Sequence, residues 1–141
     1  MALLIGIALV AALGVFHHFG LMTLNAIVGN EKKHPHGSII AAFMGLLVLH
    51  TLEILAFAAV YMFLLQYDWM GGFGGKFGGT WNDLIYFSGI NFTTLGYSQI
   101  EATGPIRMIN MMHSLGGFMV LTWSATFIYS IWEMTSPRRH S

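Results

Sequence analysis

The chain has 141 residues, 55% of them hydrophobic and 9% charged, with a mean hydropathy of +0.65. That is membrane-protein composition. Six basic and six acidic side chains cancel, which excludes the basic footprint of a nucleic-acid binder, and the absence of cysteine excludes disulfides.

Three apolar runs, residues 2–28, 39–66 and 106–132, reach the length of about 20 residues that a helix needs to span a bilayer. The first lacks a positively charged lead and is too long for the core of a cleaved signal peptide, so it is expected as a retained helix. It carries His17 and His18 well inside the apolar stretch. Residues 30–37 form a short polar turn around Pro35, whose flanking His34 and His36 read as a solvated pair or a surface metal pair. The second run carries His50 and Glu53, which share one helix face at i, i+3.

Residues 67–80, YDWMGGFGGKFGGT, are glycine-rich and are expected as a mobile outer loop. Tyr67, Trp69 and Trp81 suit a membrane interface. Residues 81–92 form an amphipathic helix too short to span. Thr80 is placed as its N-cap, with Asp83 at the capping-box position. The negative end of its dipole points into the next stretch and favours a cation there. That stretch is Thr93-Thr94-Leu95-Gly96-Tyr97-Ser98. Irregular backbone at membrane depth survives only when it is buried in protein or faces water. Residues 98–105 lead back out to the third run. There His113 is expected against the short helix, and Met108, Met111 and Met112 are expected to pack. Thr122, Thr126 and Ser130 either line a cavity or bond back to their own helix.

Lys32 and Lys33 precede the second run and Arg138 and Arg139 follow the third. These pairs share a side if each run crosses once, and the positive-inside rule makes that side cytoplasmic. The N-terminus and the 67–105 segment are then outside, with the middle of that segment dipping inward. No span carries regularly spaced basic residues, so no voltage sensor is expected.

The order of short helix, Thr/Gly/Tyr loop and spanning helix resembles the pore of potassium-channel-like proteins. In those proteins a row of backbone carbonyls replaces the water around the ion. More closely, the chain resembles small bacterial two-helix ion-channel pore proteins. The resemblance is carried by His50, Glu53, Ile54 and Tyr61, then Tyr86-Phe87-Ser88, then Thr93 to Tyr97 with Ile100, then Trp123-Ser124-Ala125. It implies an all-α membrane protein of three transmembrane helices with a re-entrant pore helix and filter loop, assembled as a homotetramer. Residues 1–37 would form a peripheral helix and turn, residues 38–135 the pore domain, and residues 136–141 a cytoplasmic tail. The setting would be a bacterial inner membrane.

The resemblance also assigns roles. Thr94, Leu95, Gly96 and Tyr97 would coordinate K+ (or Na+), with the Tyr97 ring packed outward. Gly116 and Gly117 would be either a gating hinge or a close-packing site. No cofactor is expected beyond the permeant monovalent cation, and no catalysis. Two positions depart from the family pattern. Ser98 stands where glycine is usual, so the outer end is either strained, at about 1–2 kcal/mol, or shaped differently. Gln99 stands where aspartate is usual, leaving Glu101 to restore charge at the mouth. Strict potassium selectivity is therefore open.

One cluster lies outside the loop. Counted from the cytoplasmic helix ends, His17, His18 and His50 sit at similar depths of roughly 15–18 Å. His17 or His18 can therefore meet His50 and Glu53. Such a group reads as a structural hydrogen-bond tie, a proton sensor or a metal site. Two further classes stay open beside the channel: a membrane metal-binding protein or enzyme using these residues, and a non-conducting structural subunit.

Overall fold

A computed structural model describes residues 1–28 and 35–135. Lys32, Lys33, His34, Arg138 and Arg139, on which the expected sidedness and the surface metal pair depend, lie outside the described residues. The elements in order are α1 (Ala2–Val28), α2 (Pro35–Leu64), a single 3₁₀ turn (Asp68–Met70), β1 (Gly72–Gly75), α3 (Trp81–Phe92), β2 (Ile100–Thr103) and α4 (Ile106–Thr135). The three long helices are apolar enough to cross a membrane, with mean hydropathies of 2.1, 2.2 and 1.3. Helix α2 begins four residues earlier than the apolar run because Pro35, lacking an N–H and fixed in φ, suits a first helical position.

Neighbouring pairs give the helix directions. Leu21 packs with Leu46 and Leu49, and Val28 with Ala42, so α1 and α2 are antiparallel. Gly6 lies against Met112 and Ile109, Gly116 against Val10 and Leu13, and Val28 beside Ile131, so α1 and α4 run parallel. Small residues set these approaches: Leu49 lies over Gly20 and Leu24 over Gly45. That is how helices pack when lipid offers no hydrophobic drive between them. Met112 packs as expected, whereas Met108 and Met111 are exposed in the single chain.

Helix α3 starts as its capping chemistry dictates. The Asp83 N–H donates to Thr80 Oγ1 and the Thr80 N–H to Asp83 Oδ2, both at 3.2 Å. Phe87 buries against Tyr61 and Phe73, and Ser88 Oγ donates to the Ile54 carbonyl at 2.9 Å, fastening α3 to α2. The far end of α3 abuts α4: a methyl group on Gly117 would collide with the Phe92 carbonyl oxygen. Gly117 lies eleven residues into α4, so α3 ends about 17 Å below the start of that helix. The element is re-entrant.

Two expectations need correction. The glycine-rich stretch is not simply a mobile loop: β1 pairs antiparallel with β2, in register from Gly72 with Thr103 to Gly75 with Ile100. Glycine is required there by contact, because a side chain on Gly71 would strike the Thr103 carbonyl and one on Gly75 the Gln99 carbonyl. His113 bonds not to α3 but to Tyr61 of α2, with Nδ1 at 3.0 Å from the phenol oxygen, while its ring stacks on Phe57 at 3.7 Å. The Tyr61 hydroxyl donates in turn to Asn110 Oδ1 at 3.2 Å.

Candidate pore loop and intramembrane polar cluster

The loop after α3 begins with a helix cap. The Leu95 N–H donates to the Ile90 carbonyl and the Thr94 N–H to the Asn91 carbonyl, at 3.1 and 3.0 Å, with Thr94 at φ +59°. This is the Schellman arrangement, in which the left-handed residue is usually glycine. A β-branched residue pays for that conformation with about 1–2 kcal/mol. Gly96 is left-handed as well, at φ +64°, without that cost. Left-handed backbone therefore recurs at alternate positions, 94 and 96.

Ser98 resolves the two shapes open to it: its φ is not positive, so it carries no left-handed strain. Its N–H closes a tight turn onto the Gly96 carbonyl at 3.1 Å, and its Oγ accepts from the Ile100 N–H at 3.0 Å. Serine here builds a turn through its hydroxyl where glycine would give only freedom. The Gln99 carbonyl accepts from the Lys76 N–H at 2.9 Å, tying the loop exit to the end of β1. Gln99 and Glu101 are both exposed. So is the loop itself: Leu95 is 70% and Tyr97 89% exposed in the single chain, so the Tyr97 ring does not pack against its own subunit.

Gly116 and Gly117 are buried in an unbroken helix. One accepts the side chains of Val10 and Leu13, the other the end of α3. Close packing is thus what these glycines serve in this conformation. Thr122, Thr126 and Ser130 are exposed, and each hydroxyl bonds back to a carbonyl of α4.

Of the four cluster candidates, three meet. His17 Nδ1 lies 2.8 Å from Glu53 Oε1 and His50 Nδ1 2.7 Å from Glu53 Oε2, with His17 and Glu53 fully buried. The two imidazoles are stacked, with centroids 5.6 Å apart and planes 11° apart. His18 is exposed and packs beside Trp123 instead. A fourth member was missed: Ser124 Oγ of α4 lies 3.3 Å from His17 Nε2 and 3.0 Å from His50 Nε2. The signal existed, since Ser124 is eleven residues, or about 17 Å, from the end of α4, the depth already counted for the histidines. The His50 ring also touches Phe92, the last residue of α3, at 5.5 Å between centroids, so cluster and loop are neighbours.

Comparison with known proteins agrees with this architecture. Over 61 residues the chain is 28% identical to an uncharacterized membrane protein, YdjJ, of Bacillus subtilis. The alignment covers 43% of this chain and 18% of that protein, so the chain spans under a fifth of its relative. No solved structure matches. Residues 49–133, well over half of the chain, running from His50 through α3 and the loop and along most of α4, match a family described as ion channel. This integral membrane protein therefore belongs to the ion channel family.

Proposed function

We infer that the chain is one subunit of a homotetrameric channel for monovalent cations, with potassium the favoured ion. The carrying observation is the re-entrant helix α3, which ends in mid-span and delivers an exposed loop with left-handed residues at 94 and 96. One loop cannot encircle an ion. Closed rotational symmetry builds a ring from one interface, and the exposed face of residues 94–97 is what copies around an axis would share. Thr94, Leu95, Gly96 and Tyr97 would supply carbonyl oxygens to the ion. The Gly96 carbonyl would first release the Ser98 N–H. The dipole of α3 adds partial negative charge below them.

Residues 38–135 make the pore unit, with α2 as the outer helix and α4 as the inner one. Helix α1 is peripheral and would lie outside the ring. Bending at Gly116 and Gly117 would move α4 away from the end of α3, which gives a hinge there a direct handle on the loop. The parallel course of α1 and α4 supports an N-terminus on the loop side. We place that side outside a bacterial inner membrane and the C-terminus in the cytoplasm.

Reconstitution in liposomes tests the reading. Potassium flux exceeding sodium flux is expected, with the preference altered by Ser98→Gly and Gln99→Asp together. Proteoliposomes that pass neither ion, or a purified monomer, would overturn it.

A further inference from the structure

The ring formed by His17, Glu53, His50 and Ser124 does not balance in hydrogens. Take an ionised carboxylate and two neutral imidazoles. To bond Glu53, both rings must carry hydrogen on Nδ1. Both Nε2 atoms are then bare acceptors facing one hydroxyl, which has a single hydrogen to give. One buried nitrogen lone pair is left opposite an oxygen lone pair, a costly arrangement away from water. Moving both hydrogens to Nε2 repairs that end, because Ser124 Oγ has two lone pairs and accepts from both rings. The Ser124 hydroxyl is then free to bond along α4, as Thr122 and Thr126 do. The other end now presents two bare Nδ1 atoms, 2.8 and 2.7 Å from the oxygens of one carboxylate with no hydrogen between, and the three residues can bring one ligand atom each within 4.8 Å of the others.

Those atoms are a ligand set. We propose that His17 Nδ1, His50 Nδ1 and a Glu53 carboxylate oxygen form a buried site for a divalent transition-metal ion of the Zn2+ class, with Ser124 orienting both rings. Two histidines and a glutamate are a set that Zn2+ uses, at about 2.0–2.2 Å per bond. Tetrahedral ligands at that range stand about 3.4 Å apart, so an ion would part a ligating nitrogen from the carboxylate oxygen beside it by only about 0.6–0.7 Å. Hydrogen bonds from both Nε2 atoms to one hydroxyl are the outer-shell contacts that fix a ligating imidazole's tautomer.

The matched placement of the rings favours an ion that uses both alike. A single added proton would balance the count but serve one ring only. Three protein ligands leave a fourth position. A cavity of about 220 Å³ between α1 and α2 is bordered by Glu53 and is otherwise apolar. The site joins α1 to α2 and does not depend on how the pore loop is read.

The test uses purified full-length protein, stripped with a chelator and dialysed against micromolar Zn2+ with metal counted per chain. One ion per chain is expected. His50→Ala and Glu53→Gln should each weaken binding at least about 100-fold, and Ser124→Ala, which keeps every ligand, about 10- to 100-fold. His18→Ala and His36→Ala should leave it unchanged. Because His50→Ala and Glu53→Gln also disturb the core, Co2+ bound to the unaltered protein gives a second readout. The intense visible absorption of tetrahedral nitrogen and oxygen ligation supports the site, and the weak octahedral spectrum overturns it. Zinc that fails to bind, with proton uptake alone, or zinc that leaves on His36→Ala but stays on Ser124→Ala, overturns it as well.

Discussion

Glu53 and Tyr97 are both polar interruptions of a membrane-spanning fold, and the structure treats them in opposite ways. Glu53 is fully buried and reaches two histidines; Tyr97 is 89% exposed. In the cluster, three helices of one chain converge and bring together side chains that would be costly in lipid. In the loop, the chain closes what it can, with the cap at Thr94 and the turn at Ser98, and still leaves an apolar and aromatic face uncovered. A single chain supplies every side chain of the first region and leaves the second uncovered. The contact of Phe92 with His50 joins the two.

Breaking the cluster should have the largest effect. Glu53→Ala removes the partner shared by the His17 and His50 rings and should cost about 3 kcal/mol. Thermal unfolding in detergent measures this, and an unchanged midpoint would mean that the ring does not hold the helices together. Next comes the joint between the regions. Gly117→Ala sets a methyl group against the Phe92 carbonyl and should cost about 1–3 kcal/mol. Gly14→Ala, with nothing within 4 Å, should be neutral or stabilising by up to about 1 kcal/mol. Equal effects from the two would remove the case for a close α3–α4 contact.

The loop should respond in the other direction. Thr94→Gly relieves a left-handed β-branched residue and should stabilise the fold by about 1 kcal/mol, while potassium flux falls if the Thr94 hydroxyl serves the ion. A loss of stability would show that this residue does not hold the cap.

The smallest effect belongs to the other end of α3. The Thr80 N–H, then the Thr80 side chain and the Gly78 N–H, hold the Asp83 carboxyl below its ordinary value of 3.8. Its folded pKa lies under its unfolded one, so its contribution is present above about pH 4 and fades as pH falls through the lower folded value. The stability difference between the protein and Asp83→Asn should therefore narrow below about pH 4 and stay constant above pH 6. A difference that does not change with pH would detach Asp83 from the cap.

Much of this architecture is written locally. An apolar run of sufficient length has few alternatives to a spanning helix, and Thr80 with Asp83 marks a helix start wherever it occurs. Three spans and the bounds of α3 follow from residues close together in the chain. What was illegible depended on distant partners. His17 and His18 are adjacent and equally deep, but they point about 100° apart, and only the packing of α1 on α2 and α4 selects His17. The GFGG strand has no alternation to announce it, and its partner lies beyond α3, so the pairing exists only because the re-entrant segment returns beside it. Thr94 carries no glycine signal; its left-handed turn is imposed by the place where α3 must stop against Gly117.

The sequence by itself determined the membrane class, the three spans, the short capped helix and the loop that follows, because each rests on near-neighbour chemistry and on length against bilayer thickness. The tertiary structure decided which histidine joins Glu53, that Ser124 completes the ring, and that the loop's flanks pair as a sheet. Those choices are made by side chains and strands that meet only when four helices have taken their relative positions, and no local pattern encodes that geometry.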